Sequence, residues 1–252
     1  MRVVLFSGRG ESSNAVFAYL KEHHELVGLV IDGPSSRKLM INRRIKKLGY
    51  ITVFLQALFQ KGVVPLLMKF SKKRQTELWG TIKMESVESF KNKLTPKTIN
   101  DDEVIDYVKE CNADVIIVNG TRIIKKKIIN GVNLPMVNIH VGITPKYRGV
   151  HGGYWALANK DKEHCGVTAH LIDSGIDTGG VISQRTIEVT KKDNFCTYPI
   201  LQLKEGLVCI EDAMQQIKNK NIKIIKSNLE SKLYYHPTIT TYIYHRLLYG
   251  VK

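Results

Sequence analysis

An apolar block, Arg2–Phe6, opens the chain and stops at Ser7-Gly8. An uninterrupted run of this kind predicts a strand buried on both faces, as in a parallel sheet. Gly8-Arg9-Gly10-Glu11-Ser12-Ser13-Asn14 follows, and Val16, Phe17 and Leu20 then share one face of a helix predicted from Ala15 to about Glu22. Glu25–Asp32 repeats the strand pattern, so the first segment reads as a right-handed strand–turn–helix–strand unit. Further strands are predicted at Ser86–Phe90, Asp114–Val118, Pro135–Ile139, Gly166–Ile172 and Val181–Ile187. Helices are predicted from Asn100-Asp101-Asp102-Glu103 to about Glu110, where acids meet the positive end of the helix dipole. Others span Gly152–Asn159 and a stretch from Asn194 or Thr197 to about Ile217.

One segment interrupts this alternation. Residues 37–80 read as an insertion of two or three helices, broken near Gly62 and Pro65. Apolar residues nearly encircle these helices and therefore call for a cover. The charge concentrates there too: eleven Lys and Arg fall between Arg37 and Arg74 with no Asp or Glu, leaving +4 of the net +15 for the rest of the chain. Three covers suit such a segment. One is the protein's own sheet or a second subunit, as in a homodimer. Another is an anionic bilayer engaged by 37–74. The third is RNA, disfavoured because the aromatics Tyr50, Phe54, Phe59 and Phe70 sit mostly among apolar neighbours. Lys125-Lys126-Lys127 read as the solvated face of a helix.

Composition narrows the class. A chain of 252 residues buries a sizeable core as one domain with embellishments, or two at most. Cys111, Cys165, Cys196 and Cys209 lie far apart, which argues against a zinc site and for unpaired thiols in a reducing cytoplasm. Met1–Phe6 is too short for a secretory h-region, and the longest apolar run is interrupted by Lys61, Pro65 and Lys69. No metal is expected.

The chemistry gathers between Val137 and Gly180. Asn138 and His140 are two apart on a predicted strand and so project to one face. The glycines around Asp177 mark a tight loop. An amide and an imidazole can donate to a developing oxyanion, while a carboxylate can set the charge of the imidazole and help remove the proton of an attacking amine. A competing motif lies at the first turn: Gly8-x-Gly10-x-x-Ser13 with Asp32 ending the next strand approaches a dinucleotide fingerprint, but the third glycine is absent.

Asn138-x-His140, then Pro145-x-Tyr147-Arg148-Gly149, then Asp177-x-Gly179 resembles the signature of the folate-dependent formyltransferases. That family includes glycinamide ribonucleotide transformylase, methionyl-tRNA formyltransferase and the sugar N-formyltransferases. The resemblance implies that Asn138, His140 and Asp177 are the catalytic trio and that N10-formyltetrahydrofolate is the formyl donor. It implies a folate pocket from Asn119, Gly120, Thr121, Arg122, Ile123 and Ile124, with Asp173, Ser174, Gly175 and Ile176 opposite. Acceptor contacts are expected from Gly8, Arg9, Gly10, Ser12 and Ser13, a turn similar to the family's phosphate-holding turn, and from Tyr147, Arg148 and Gly149. Where family members usually carry Pro-Ser after the histidine, this chain has Val141-Gly142.

The expected fold is α/β: a mostly parallel Rossmann-like sheet with helices on both faces, a basic helical insertion and a short C-terminal extension. A catalytic domain is expected at 1–190 and a C-terminal helix with a basic aromatic tail at 191–252. The expected acceptor is a small-molecule amine, first a nucleotide-linked amino sugar for surface polysaccharide synthesis, with glycinamide ribonucleotide or methionyl-tRNA as alternatives. The tail is shorter than the nucleic-acid-binding barrel of methionyl-tRNA formyltransferase, which disfavours nucleic acid. A cytoplasmic enzyme is expected, peripheral at the inner face of the membrane if the bilayer covers 37–74. A non-catalytic binding protein on this fold is the remaining class.

Overall fold

Val3–Phe6 and Val115–Ile117 are fully buried, as strands covered on both faces must be. The computed structural model describes residues 1–252. In chain order the elements are β1 (Arg2–Ser7), α1 (Glu11–His23), β2 (Glu25–Ile31), α2 (Arg37–Leu48), α3 (Tyr50–Leu58), α4 (Val64–Phe70), α5 (Lys72–Trp79), β3 (Lys93–Leu94), α6 (Glu103–Cys111) and β4 (Val115–Asn119). There follow α7 (Lys126–Val132), β5 (Met136–His140), β6 (Arg148–Gly149), α8 (Gly152–Ala158), β7 (Gly166–Leu171), β8 (Val181–Thr186), α9 (Tyr198–Lys218), β9 (Leu233–Tyr234) and α10 (Ile239–Tyr249).

Seven strands form one sheet in the order β3-β2-β1-β4-β5-β7-β8. β3, β2, β1, β4 and β5 are mutually parallel, while β7 runs antiparallel to both its neighbours, β5 and β8. Alternation along β1 sorts its residues between two cores. Val3 and Leu5 pack with Val16, Phe17 and Leu20 of α1 and Leu203 and Ile210 of α9. Val4 and Phe6 pack on the other face with Val104 and Val108 of α6 and Ile128 and Val132 of α7. Helices thus cover both faces, as expected, and α9 belongs to the sheet core. The order reverses at β1, with β2 on one side and β4 on the other, which opens a crevice at the carboxyl ends of the strands. There Gly8 lies so close to Gly120 that a Cβ would collide with the Gly120 carbonyl.

Several sequence expectations change. The first helix starts at Glu11, not Ala15, so Ser12, Ser13 and Asn14 stand in its first turn. Ser86–Phe90 is no strand. The Ser86 hydroxyl accepts from Glu88 N–H and the Asn14 side chain from Val87 N–H, which curls Val87–Ser89 into a single tight turn. The third strand is the two-residue β3, paired with Leu29 and Val30.

The insertion contains three helices, as expected, but neither Gly62 nor Pro65 breaks the middle one. Tyr50–Phe70 is one continuous helix in which Phe59–Val63 forms a wide π turn just before Pro65. A local widening of this kind can accommodate a proline that brings no N–H. The expected apolar cover is mostly missing: only Val53, Gln56 and Phe59 are buried along it. Phe59 anchors the insertion, packing on Phe195 and on Tyr242 of α10 with ring centroids 5.0 and 4.9 Å apart. Burying such a ring contributes roughly 2–3 kcal/mol. All four cysteines are unpaired.

Candidate active site

β5 places Asn138 and His140 at its carboxyl end, next to β7, with Asn138 directly opposite His170 and His140 opposite Thr168. The period of two brings both β5 side chains to one face. The loop after β7 then folds back so that Asp177, held at φ 51°, meets both histidines. The Asp177 carboxylate lies 3.3 Å from His140 Nδ1 and 3.7 Å from His170 Nε2, and it accepts the Gly149 N–H at 2.9 Å. Arg148 ties down the same loop, donating to the Ile176 carbonyl at 3.0 Å.

Proton positions follow from the partners. His140 Nε2 sits 2.7 Å from the Tyr147 carbonyl oxygen, which can only accept, so Nε2 carries a proton. Its Nδ1 then faces Asp177, ready to take a second proton against that carboxylate. Gly142 makes this close approach feasible: a Cβ there would collide with both the Tyr147 carbonyl and the His140 ring. The Val141-Gly142 departure from the family pattern therefore shapes the loop around His140.

His140 is 5% exposed, and that burial pushes its pKa below the usual histidine value, against the opposing pull of the Asp177 charge and the Tyr147 carbonyl. Burial alone would raise the Asp177 carboxyl. The neighbouring His170, His140 and the Gly149 N–H outweigh it and hold the group below the ordinary aspartate range. The resting pair is a neutral imidazole beside a carboxylate.

His170 was not among the residues that the sequence singled out. Its Nδ1 lies 2.7 Å from the Leu171 carbonyl, which fixes a proton there, and its Nε2 lies 3.1 Å from the Asn138 amide nitrogen. His170 thereby orients the Asn138 amide and leaves its second N–H for another acceptor. The signal was available: Thr168 and His170 alternate with Val167, Ala169 and Leu171 on a strand leading into the Asp177 loop.

A cleft of about 120 Å³, open to solvent, runs outward from this cluster. Val118, Thr121, Arg122, Ile123 and Ile124 line one side, and Ile172, Asp173, Gly175 and Ile176 the other, with Asn138, His170 and Asp177 at the inner end. The apolar rim residues Ile123 and Ile176 are exposed. Asn119, Gly120 and Ser174 stand apart from this lining: the Asn119 amide donates to the Ser12 and Ser13 hydroxyls. Arg122 is braced by Asp32, whose carboxylate accepts its N–H and Nε at 3.0 and 2.9 Å.

The first turn leaves the start of α1 without a side-chain cap, with Gly10 at φ 151°. Arg9 lines the crevice beside Gly8, bonded to Glu88 at 3.1 Å and to the Asp32 carbonyl at 3.2 Å. Tyr147 is fully buried, its hydroxyl donating to Asp161 at 2.7 Å, so only its carbonyl reaches the cluster.

Residues 1–199 match the family model described as formyl transferase. The methionyl-tRNA formyltransferase of Finegoldia magna is 37% identical over 114 residues, which are 45% of this chain and 36% of that protein. The chain thus spans less than half the length of such curated relatives. Among solved structures, the phosphoribosylglycinamide formyltransferase of Anaplasma phagocytophilum superposes with a TM-score of 0.57 at 16% identity, covering 92% of this chain and 97% of that one. An N-formyltransferase of Helicobacter canadensis, solved with folinic acid and dTDP-3-aminofucose, gives 0.54 at 17% identity, covering 93% and 71%.

Proposed function

Since this chain belongs to the formyl transferase family, we propose that it is an N-formyltransferase that moves a formyl group from N10-formyltetrahydrofolate to a primary amine. The observation that carries this reading is the convergence of Asn138, His170 and Asp177 at the inner end of the cleft, with His140 buried beside Asp177 at 3.3 Å. The apolar walls Val118, Ile124 and Ile172, the exposed rim residues Ile123 and Ile176, and the Arg122 cation suit a flat ring with an anionic tail. The folate supplies the formyl carbon, whose bond to the donor nitrogen is exchanged for one to the acceptor nitrogen.

The protein's own groups act on the charges of that exchange. The free Asn138 N–H donates to the oxygen that becomes negative as the amine adds. The amine proton leaves toward the His140–Asp177 pair. Nδ1 takes it, the Asp177 carboxylate stabilises the imidazolium so formed, and the imidazolium returns the proton to the departing donor nitrogen. Burial keeps His140 neutral beforehand, which leaves it free to accept. Arg148 and Gly149 serve by holding Asp177 in place. Asn119, Gly120 and Thr121 contribute the backbone on which the Arg122 wall is set.

The favoured acceptor is a nucleotide-linked amino sugar, whose phosphate would sit at the uncapped start of α1 formed by Gly8, Gly10, Ser12 and Ser13. The dTDP-sugar bound by the Helicobacter canadensis neighbour supports this choice. Methionyl-tRNA is the second reading, favoured by the identity to the Finegoldia magna protein. Tetrahydrofolate release measured over a panel of UDP- and dTDP-linked amino sugars, glycinamide ribonucleotide and methionyl-tRNA separates them. Release with none of these amines would count against the reading.

A further inference from the structure

The helical insertion presents a surface that the active site does not use. Tyr50–Phe70 is long and apolar enough to cross a membrane by length and composition, yet it lies along the protein, and its outward face is uncovered. Ile51 is 77% exposed, Phe54 62%, Leu66 55% and Phe70 82%. The inward face is pinned. Phe59 is fully buried, Gln56 donates to the His236 carbonyl at 2.6 Å, and Asn194 donates to the Leu67 carbonyl at 3.2 Å. A helix held this way lies on a surface and does not thread through it.

Cations share this face. A groove between α2 and α3 is lined by Ile41, Ile45, Tyr50 and Phe54 together with Arg44 and Lys61. Of the eleven Lys and Arg between Arg37 and Arg74, only Arg74 has a carboxylate partner, Asp193 at 2.9 Å and Glu77 at 3.6 Å. Monomeric proteins rarely leave so many large apolar side chains together in water, and a ring of unpaired cations narrows what can cover them.

We infer that this face docks on a lipid bilayer bearing anionic headgroups. Ile51, Phe54, Leu66 and Phe70 enter the headgroup–acyl boundary, and Arg37, Lys38, Lys46, Lys61 and Lys69 meet the phosphates. A second copy of the chain is the other apolar cover, but a two-fold contact sets the same patch against itself. Cations without a single acid among them would then face their own images. Only an anionic partner offers apolar cover and opposite charge at once.

The test uses the full chain and sedimentation with vesicles of phosphatidylcholine alone or mixed with phosphatidylglycerol. Wild type is expected to pellet with the anionic vesicles at low salt, to stay in solution with the neutral ones, and to release as salt rises. Replacing Arg37, Lys38 and Lys46 by Gln should weaken partition at least about tenfold. These side chains are all exposed, so the fold should tolerate the change. A separate Ile51→Ser, Phe54→Ser, Phe70→Ser variant should also lose binding. The emission of Phe54→Trp should shift to the blue on anionic vesicles alone.

Three results would overturn the inference. One is no pelleting at low salt. Another is pelleting that survives loss of the three apolar residues, which would reduce the contact to charge. The third is a concentration-dependent dimer, or retention by an RNA homopolymer, without vesicle binding. Formyl transfer to a soluble acceptor should be unchanged in every variant, so failure here is separable from failure of the proposed activity.

Discussion

The cleft and the insertion are built on opposite terms. In the cleft, charged and polar groups are buried and partnered: Asp177 meets His140, His170 and Gly149, and Asp32 meets Arg122. Along the insertion, apolar groups are exposed and cations stand without acids. The cleft is complete within one chain and has its charges arranged before any ligand arrives, which is what electrostatic stabilisation of a transition state requires. The insertion is satisfied only on its inner side, so its outer side makes sense in a second phase or partner. Changes in the cleft should therefore register in turnover or in stability, and changes on the insertion's outer face in neither.

The largest expected effect is on turnover. Asn138→Ala or His140→Ala should lower kcat by about 100- to 1,000-fold with folinic acid binding and thermal midpoint retained. Asp177→Asn should lower kcat as well and should change the pH profile. The Asp177 charge raises the proton affinity of His140, so its removal should move the acid limb of the rate profile lower still, from a starting point already below the usual histidine value.

A smaller loss is expected at Asp32. Its carboxylate accepts from Ile99 N–H, Arg122 N–H and Arg122 Nε while nearly buried. Asp32→Ala should cost about 2–3 kcal/mol in denaturant unfolding, because it strands these donors. His170→Ala should cost less, about five- to tenfold in kcat, since it removes one hydrogen bond that orients Asn138 and leaves the amide itself in place.

The sequence made the cleft legible where chemistry repeats a local pattern. Asn138-x-His140 on a strand and Asp177 in a glycine-flanked loop both stand where expected, because a period of two and a tight turn are local properties. His170 stayed hidden because its importance comes from an antiparallel pairing across the sheet, which no local period reports. The same holds for β3: a two-residue strand carries no periodicity, and its position depends on Leu29 and Val30. On the insertion, composition gave the helices and the charge. It could not tell which apolar residues the enzyme covers, because only the packing of Phe59 against Phe195 and Tyr242 decides that.

The inner side of the insertion offers a finer probe. His151 and His236 share a hydrogen bond at 2.9 Å, and Gln60 also donates to His236. Burial pushes His151 down to about 3 and His236 down to about 4. The unfolded chain binds protons near the free-histidine value of about 6.5 that the folded chain refuses. Stability from this pair is therefore full above that value and is lost as pH falls through 6.5 toward 4. The thermal midpoint should drop over that window, and His236→Gln should flatten the dependence. On the outer side, Gln at Arg37, Lys38 and Lys46 should change unfolding free energy by no more than about 0.5 kcal/mol.

The most direct measurement is a coupled one: tetrahydrofolate released from N10-formyltetrahydrofolate, and N-formylated product counted in the same reaction, for wild type and His140→Ala with the best amine of the panel. The expected result is one product for each tetrahydrofolate with wild type, and a rate lower by at least about 100-fold with His140→Ala. A His140→Ala protein that releases tetrahydrofolate and forms product at the wild-type rate would contradict the assignment of this cleft as the centre of formyl transfer.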